Sequence, residues 1–169
     1  MSTHALTVFR TQEFDGANVA NVSHIWRKLD GYPTCHGREL VRILSGREFM
    51  SISELIAETW SGLLDQAVKR ESNWQFCPVL HSQRAHAEWH YSLSLRDQDG
   101  EMPRGGPCMA GPFVVWLEVK CFRKKVYDGP LNEYVPHDDP LNIEKELESK
   151  QKPTLPEDAH PQRTLDFPP

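Results

Sequence analysis

Residues 27–38 read RKLDGYPTCHGR, and few short stretches bring so many chemically capable side chains together. Cys35 could serve as a nucleophile, and His36 as a general base held in orientation by Asp30. That arrangement would make the chain a small hydrolase or transferase. Cys35 and His36 are neighbours in sequence, however, and a working Cys–His pair normally meets across a fold. No GxSxG, HExxH or phosphate-loop pattern occurs anywhere in the chain. The same residues suit a non-enzymatic role better. At a strand-to-helix corner, free backbone N–H groups can hold an anion. Gly31 and Gly37 permit tight turns, and Pro33 presets one φ angle. Arg27 and Arg38 would pair with a phosphate or carboxylate. Tyr32 would stack on the ligand, and Asp30 and His36 would bond its polar edges. The bland alternative is a corner that needs Gly and Pro for geometry alone.

The remaining histidines do not make a metal site. His86 and His90 share a strand face but stand roughly 13 Å apart at the usual rise per residue. Cys35, Cys77, Cys108 and Cys121 form no CxxC pair, so neither a metal nor any other cofactor is expected.

The corner must be positioned by its flanks. ALTVFRT (5–11) and ANVSHIWRKL (20–29) read as two strands joined by a hairpin at Asp15-Gly16. GRELVRIL (37–44) reads as a short helix. Residues 51–72 show helical spacing of Ile52, Leu55, Ile56, Trp60, Leu63, Leu64 and Ala67, opened by a Ser51/Glu54 capping box. WQFCPVL (74–80) reads as an edge strand, because Pro78 cannot donate to a ladder. Residues 87–97 alternate as a half-buried strand, and 113–124 follow as another. VYDGPL (126–131) is a turn or a short last strand. The order ββααβββ groups strands and helices. It predicts an α+β fold: an antiparallel sheet of about five strands with two helices on one face.

This compact domain would span residues 5–135. Residues 136–169 change character, with many prolines and charges, and read as an extended tail with one short helix at 140–150. With 24 acidic against 19 basic residues and a net charge of −5, the chain lacks the field that draws proteins to nucleic acid. It holds no apolar stretch long enough to cross a bilayer and no secretory signal at its start. A cytoplasmic protein is expected.

Two features point to partners. Val114, Trp116 and Phe122 fall on the outer face of the 113–124 strand, and an apolar patch there invites cover by a second copy, the tail or a host protein. QRTLDF (162–167) places Gln162, Leu165 and Phe167 in a spacing similar to short peptides by which bacterial proteins dock on the DNA sliding clamp.

The stretch IWRKLDGYPTCHGRELVRIL also resembles a group of uncharacterised bacterial and phage proteins. These carry a Tyr-Arg-His-x-Asp-Gly-Tyr-Pro run, then a Gly-His-Gly triplet and a helix. Trp26 stands for the first tyrosine; Arg27, Asp30, Gly31, Tyr32, Pro33, His36 and Gly37 match directly. AHAEWHYSLSL and VYDGPLNEY look like later strands of that group, so the resemblance covers roughly residues 5–135. Lys28 replaces the histidine of the run, and Cys35 replaces a glycine, which weakens any role for Cys35 as nucleophile. The resemblance implies a phage or mobile-element accessory protein, one use of which would be to inhibit a host defence.

Overall fold

The computed structural model describes residues 3–12, 18–69, 76–77, 87–97, 99–102 and 112–138. It is an α+β fold, in which a sheet in the order β3-β2-β1-β4-β5-β6 carries two helices. The strands are β1 (Ala5–Gln12), β2 (Val19–Arg27), the two-residue β3 (Phe76–Cys77), β4 (Trp89–Arg96), β5 (Val114–Cys121) and β6 (Lys124–Pro130). The helices are α1 (Arg38–Leu44) and α2 (Ile52–Lys69).

The sheet is mixed, which corrects the purely antiparallel expectation. β1 pairs with β2 antiparallel, but pairs with β4 in parallel from Ala5–Trp89 to Arg10–Ser94. The physical reason is the crossover: β2 turns back on one edge of β1, and the chain then runs through both helices before β4 enters on the other edge. A parallel neighbour needs such a long connection, and two helices provide it. β4 is therefore central, and both of its faces are covered. Ser92 and Ser94 are as buried as Leu93 and Leu95, so the strand is not the half-solvated one its alternation predicts. VYDGPL proves to be part of a full strand, β6, paired along β5. β3 lies at the sheet edge, as Pro78 predicts.

The core lies between sheet and helices. Ala5, Phe9, Ile25, Tyr91, Leu93, Val115, Leu117 and Val119 face Leu40, Ile43 and Leu44 of α1 and Leu55 and Leu63 of α2. α2 starts as expected: the Ser51 Oγ accepts from the Glu54 N–H at 3.2 Å, and the Glu54 carboxylate reaches back to the Met50 N–H at 2.8 Å. The Asp15-Gly16 turn, His81, His86, Cys108 and the 140–150 helix lie outside the described residues.

The corner after β2 is held against the start of β1. The Gly31 N–H donates to the Thr3 carbonyl at 3.0 Å, and the Tyr91 hydroxyl donates to the Gly31 carbonyl at 3.0 Å. A Cβ at Gly31 would lie 2.6 Å from both the Ala5 nitrogen and the His4 carbonyl carbon. Backbone cannot swing aside as a side chain can. Gly31→Ala should therefore lower stability in chemical denaturation by about 3 kcal/mol. Gly46→Ala, in open space at φ 73°, should cost only about 1 kcal/mol, from the left-handed backbone alone.

Candidate functional site

The corner is helical earlier than its composition suggests. Pro33–Gly37 form one π-helical turn that runs directly into α1. Proline suits this start because its missing N–H falls where no intrahelical acceptor exists. Asp30 adopts φ 55°, a left-handed conformation that aspartate tolerates better than most residues. It turns the chain from β2 into the helix.

This turn drives His36 into the interior, where it is fully buried. Its Nδ1 lies 3.2 Å from Arg27 Nη1, and its Nε2 lies 2.7 Å from Thr7 Oγ1. Arginine has no acceptor, so Nδ1 accepts. Nε2 therefore carries the proton and donates to Thr7, and the imidazole is neutral. The Tyr91 ring meets it edge-on, with centroids 5.0 Å apart. Arg27 is only 3% exposed and forms an ion pair with Glu39, also buried, on α1. Its Nε donates to the Leu29 carbonyl at 2.7 Å, and its Nη2 lies 3.7 Å from Cys35 Sγ. One guanidinium thus ties β2, the corner and α1 together.

The candidate residues divide between inside and outside. Arg27, His36 and Gly37 are buried, Tyr32 and Cys35 are half-buried, and Asp30 and Arg38 are exposed. Asp30 and His36 do not form the acid/base pair that catalysis would require: His36 spends its nitrogens on Thr7 and Arg27. Arg27 faces Glu39 rather than a cleft. The residue types alone did not reveal Glu39 as that partner. A signal existed: Glu39 shares the inward stripe with Leu40, Ile43 and Leu44, and an acid on an apolar stripe demands a buried cation.

An anion does sit at the corner, and the chain supplies it. The Thr34 N–H donates to Asp138 Oδ1 at 2.9 Å, and the Thr34 hydroxyl lies 2.7 and 2.6 Å from the two carboxylate oxygens. The Thr34 N–H at the head of the helical run thus takes a carboxylate of the chain itself. Tyr134 packs behind it. Its hydroxyl is buried with no hydrogen-bond partner among the described residues and would lie 3.3 Å from a Cβ at Gly37. Burial, with the nearby Asp138 charge, pushes the Tyr134 phenol far above its ordinary range; burial and Tyr134 do the same to Tyr91.

The outer-face residues are placed differently from a single apolar patch. Trp116 donates from Nε1 to Asp128 Oδ1 at 2.7 Å, and the Arg96 guanidinium lies over its ring at 4.3 Å. Val114 and Phe122 are exposed but stand at opposite ends of β5, about 26 Å apart at a strand's rise per residue. Gln162, Leu165 and Phe167 lie outside the described residues.

Among the described residues no His, Cys, Asp and Glu side chains cluster as metal ligands, and no helix is long and apolar enough to cross a membrane. Comparison with known proteins gives no match to any family model, curated protein or solved structure.

Two consequences of the buried network are measurable. Burial, and then the Arg27 charge, hold the His36 imidazole well below its ordinary 6.5. Below about pH 6.5 the unfolded chain takes a proton at this position that the native protein refuses. Stability therefore falls as pH falls, approaching about 1.4 kcal/mol per pH unit from this one group. His90 is also held below 6.5, chiefly by burial, so the His36 share is the part of the slope lost in His36→Asn, read from denaturation midpoints between pH 7 and 5. Separately, Arg27→Ala should cost about 3–5 kcal/mol by stranding Glu39 in the interior. Arg27→Met with Glu39→Leu should recover much of that loss in the same assay.

Proposed function

We propose that this is a non-enzymatic binding protein that holds a small anionic group, phosphate or carboxylate, at the 30–38 corner. The observation that carries the reading is the Asp138 carboxylate seated on the Thr34 N–H and hydroxyl. An oxyanion of a ligand has the same acceptor geometry and would displace it. Arg38 is exposed, four positions beyond Thr34 in the helical run. There it would add a bidentate contact to an incoming phosphate. Tyr32, half-buried, offers a ring for a nucleotide-like body to stack on.

The buried state of His36 favours binding over hydrolysis. A general base must reach the proton it abstracts, and this imidazole is enclosed with both nitrogens engaged. The proposed setting, a phage or mobile-element accessory protein acting on a host protein or a host defence, rests on the resemblance of the WRKLDGYPTCHG run. A cytoplasmic location, and a homodimer as the simplest partner for the outer face, belong to the same proposal.

Thermal-shift titration with inorganic phosphate and nucleoside monophosphates tests the site. Asp138→Ala should bind phosphate more tightly than the wild-type chain, because no internal carboxylate competes. A hundredfold excess over Kd would then stabilise the variant by about 2.7 kcal/mol. Thr34→Val and Arg38→Ala, each added to Asp138→Ala, should weaken that response. An Asp138→Ala protein whose melting temperature ignores every anion would sink the proposal.

A further inference from the structure

β5 ends in an exposed aromatic knob and begins beside an apolar pocket. At its end, Cys121 pairs with Lys124 across a two-residue turn. The first turn residue is Phe122, at φ 53°. Hairpin turns ordinarily place glycine, asparagine or aspartate in this left-handed conformation, and a bulky side chain there is an outlier. The turn is pinned beside the start of β4, because the Phe122 N–H donates to the Glu88 carbonyl. The Phe122 side chain is nevertheless 67% exposed, and the exposed Arg123 and Lys124 follow it. Backbone strain and exposed apolar surface both oppose such a residue in an isolated chain.

At the other end of the strand, a pocket of about 300 Å³ opens beside Val114, which is 40% exposed. Its apolar lining comes from Leu44, Pro112, Phe113, Val114, Val115 and Leu131. The Phe113 N–H donates to the Phe49 carbonyl at 3.1 Å, which ties the loop after α1 to the start of β5. Arg47 and Glu48 supply the charges of the lining. Arg47 is engaged by Glu58, so among the described residues Glu48 sets the sign of the rim. A cavity of about 150 Å³ already holds a benzene ring, and this one has room for a phenylalanine side chain.

We propose that this pocket receives Phe122 of a second copy of the chain, while its own Phe122 enters the pocket of that copy. The inference gives the homodimer of the proposed function a definite interface and rests on that part of it alone. Size and charge both fit: the ring fills the apolar space, and Arg123 and Lys124 come to Glu48. The placement favours a second copy over any other partner. Knob and pocket lie at opposite ends of one strand, about 26 Å apart. A two-fold axis crossing that strand exchanges its ends, so one rotation seats both rings. Such a contact closes on itself and leaves neither a knob nor a pocket unfilled.

Sedimentation equilibrium of the full chain over a concentration series tests it. The wild-type chain should form a dimer. Phe122→Gly should weaken that dimer by about tenfold or more. At concentrations where both proteins are monomeric, it should melt no lower than wild type, because glycine takes this φ without strain. Val114→Lys, at an exposed position on the pocket, should weaken the dimer similarly by setting a cation against Arg123 and Lys124. The two variants mixed should pair at least about tenfold more tightly than either alone, since one keeps its knob and the other its pocket. The proposal is overturned if the wild-type chain is monomeric at every concentration, or forms open polymers in place of a dimer. It is also overturned if the dimer survives Phe122→Gly, or if the mixture pairs no better than its components. Survival in Phe122→Gly would leave a homodimer standing without this interface. Phosphate titration of Asp138→Ala combined with Phe122→Gly reads the corner separately and should match Asp138→Ala alone.

Discussion

A buried cation must be neutralised where it lies, and Arg27 meets that demand with Glu39 on the neighbouring helix. Its pairing with Glu39 fixes the distance between β2 and α1. Its contact with His36 fixes the imidazole tautomer, which in turn engages Thr7 on β1. Ion pairs in this setting contribute little net stability compared with apolar packing, since desolvation offsets most of the attraction. Their strength lies in being intolerant of misplacement. The corner from Leu29 to Gly37 has its conformation dictated from below by this network, and its outer surface is left for other uses.

That division explains why a residue inventory overstates what the corner can do. Asp30, Cys35, His36 and two arginines crowd one short stretch, yet the chain sends His36 and Arg27 inward and leaves Asp30 and Arg38 in solvent. Side-chain type tells what a group can do, and burial decides whether it can be reached. The Asp138 carboxylate is the counterexample. It lies 104 positions from Thr34, in a region whose composition reads as tail, and yet it bonds to the Thr34 N–H and hydroxyl. The ordered chain thus runs past residue 135, with Tyr134 packed in the core and Asp138 anchored beyond it.

Elements set by local rules were legible from the residues themselves. α2 announces itself through its apolar spacing and its Ser51/Glu54 start. β4 and β5 announce themselves through alternation, because a period of two needs no knowledge of neighbours. What alternation does not contain is the identity or direction of a strand's partner. Trp89, Tyr91 and Leu93 show which face is inward, but nothing in them says that β1 runs alongside in parallel. The α+β grouping was therefore readable and the mixed topology was not. The same limit applies to the site: Gly31, Pro33 and Gly37 mark a turn, whereas the roles of Thr7, Glu39, Tyr134 and Asp138 depend on contacts made across the fold.

The parallel join between β1 and β4 also sets the order in which the molecule can be made. Its partners are separated by 84 positions, as Ala5 to Trp89, whereas β4, β5 and β6 form a meander of near neighbours and β1 and β2 a hairpin. Closing a long loop costs entropy before any contact repays it. During synthesis the first hairpin and both helices therefore emerge with one flank of β1 unfilled. They wait for β4, with Leu6, Phe9 and the Arg27 network only partly enclosed, and the interval is one in which an unpaired strand edge is presented to the cell.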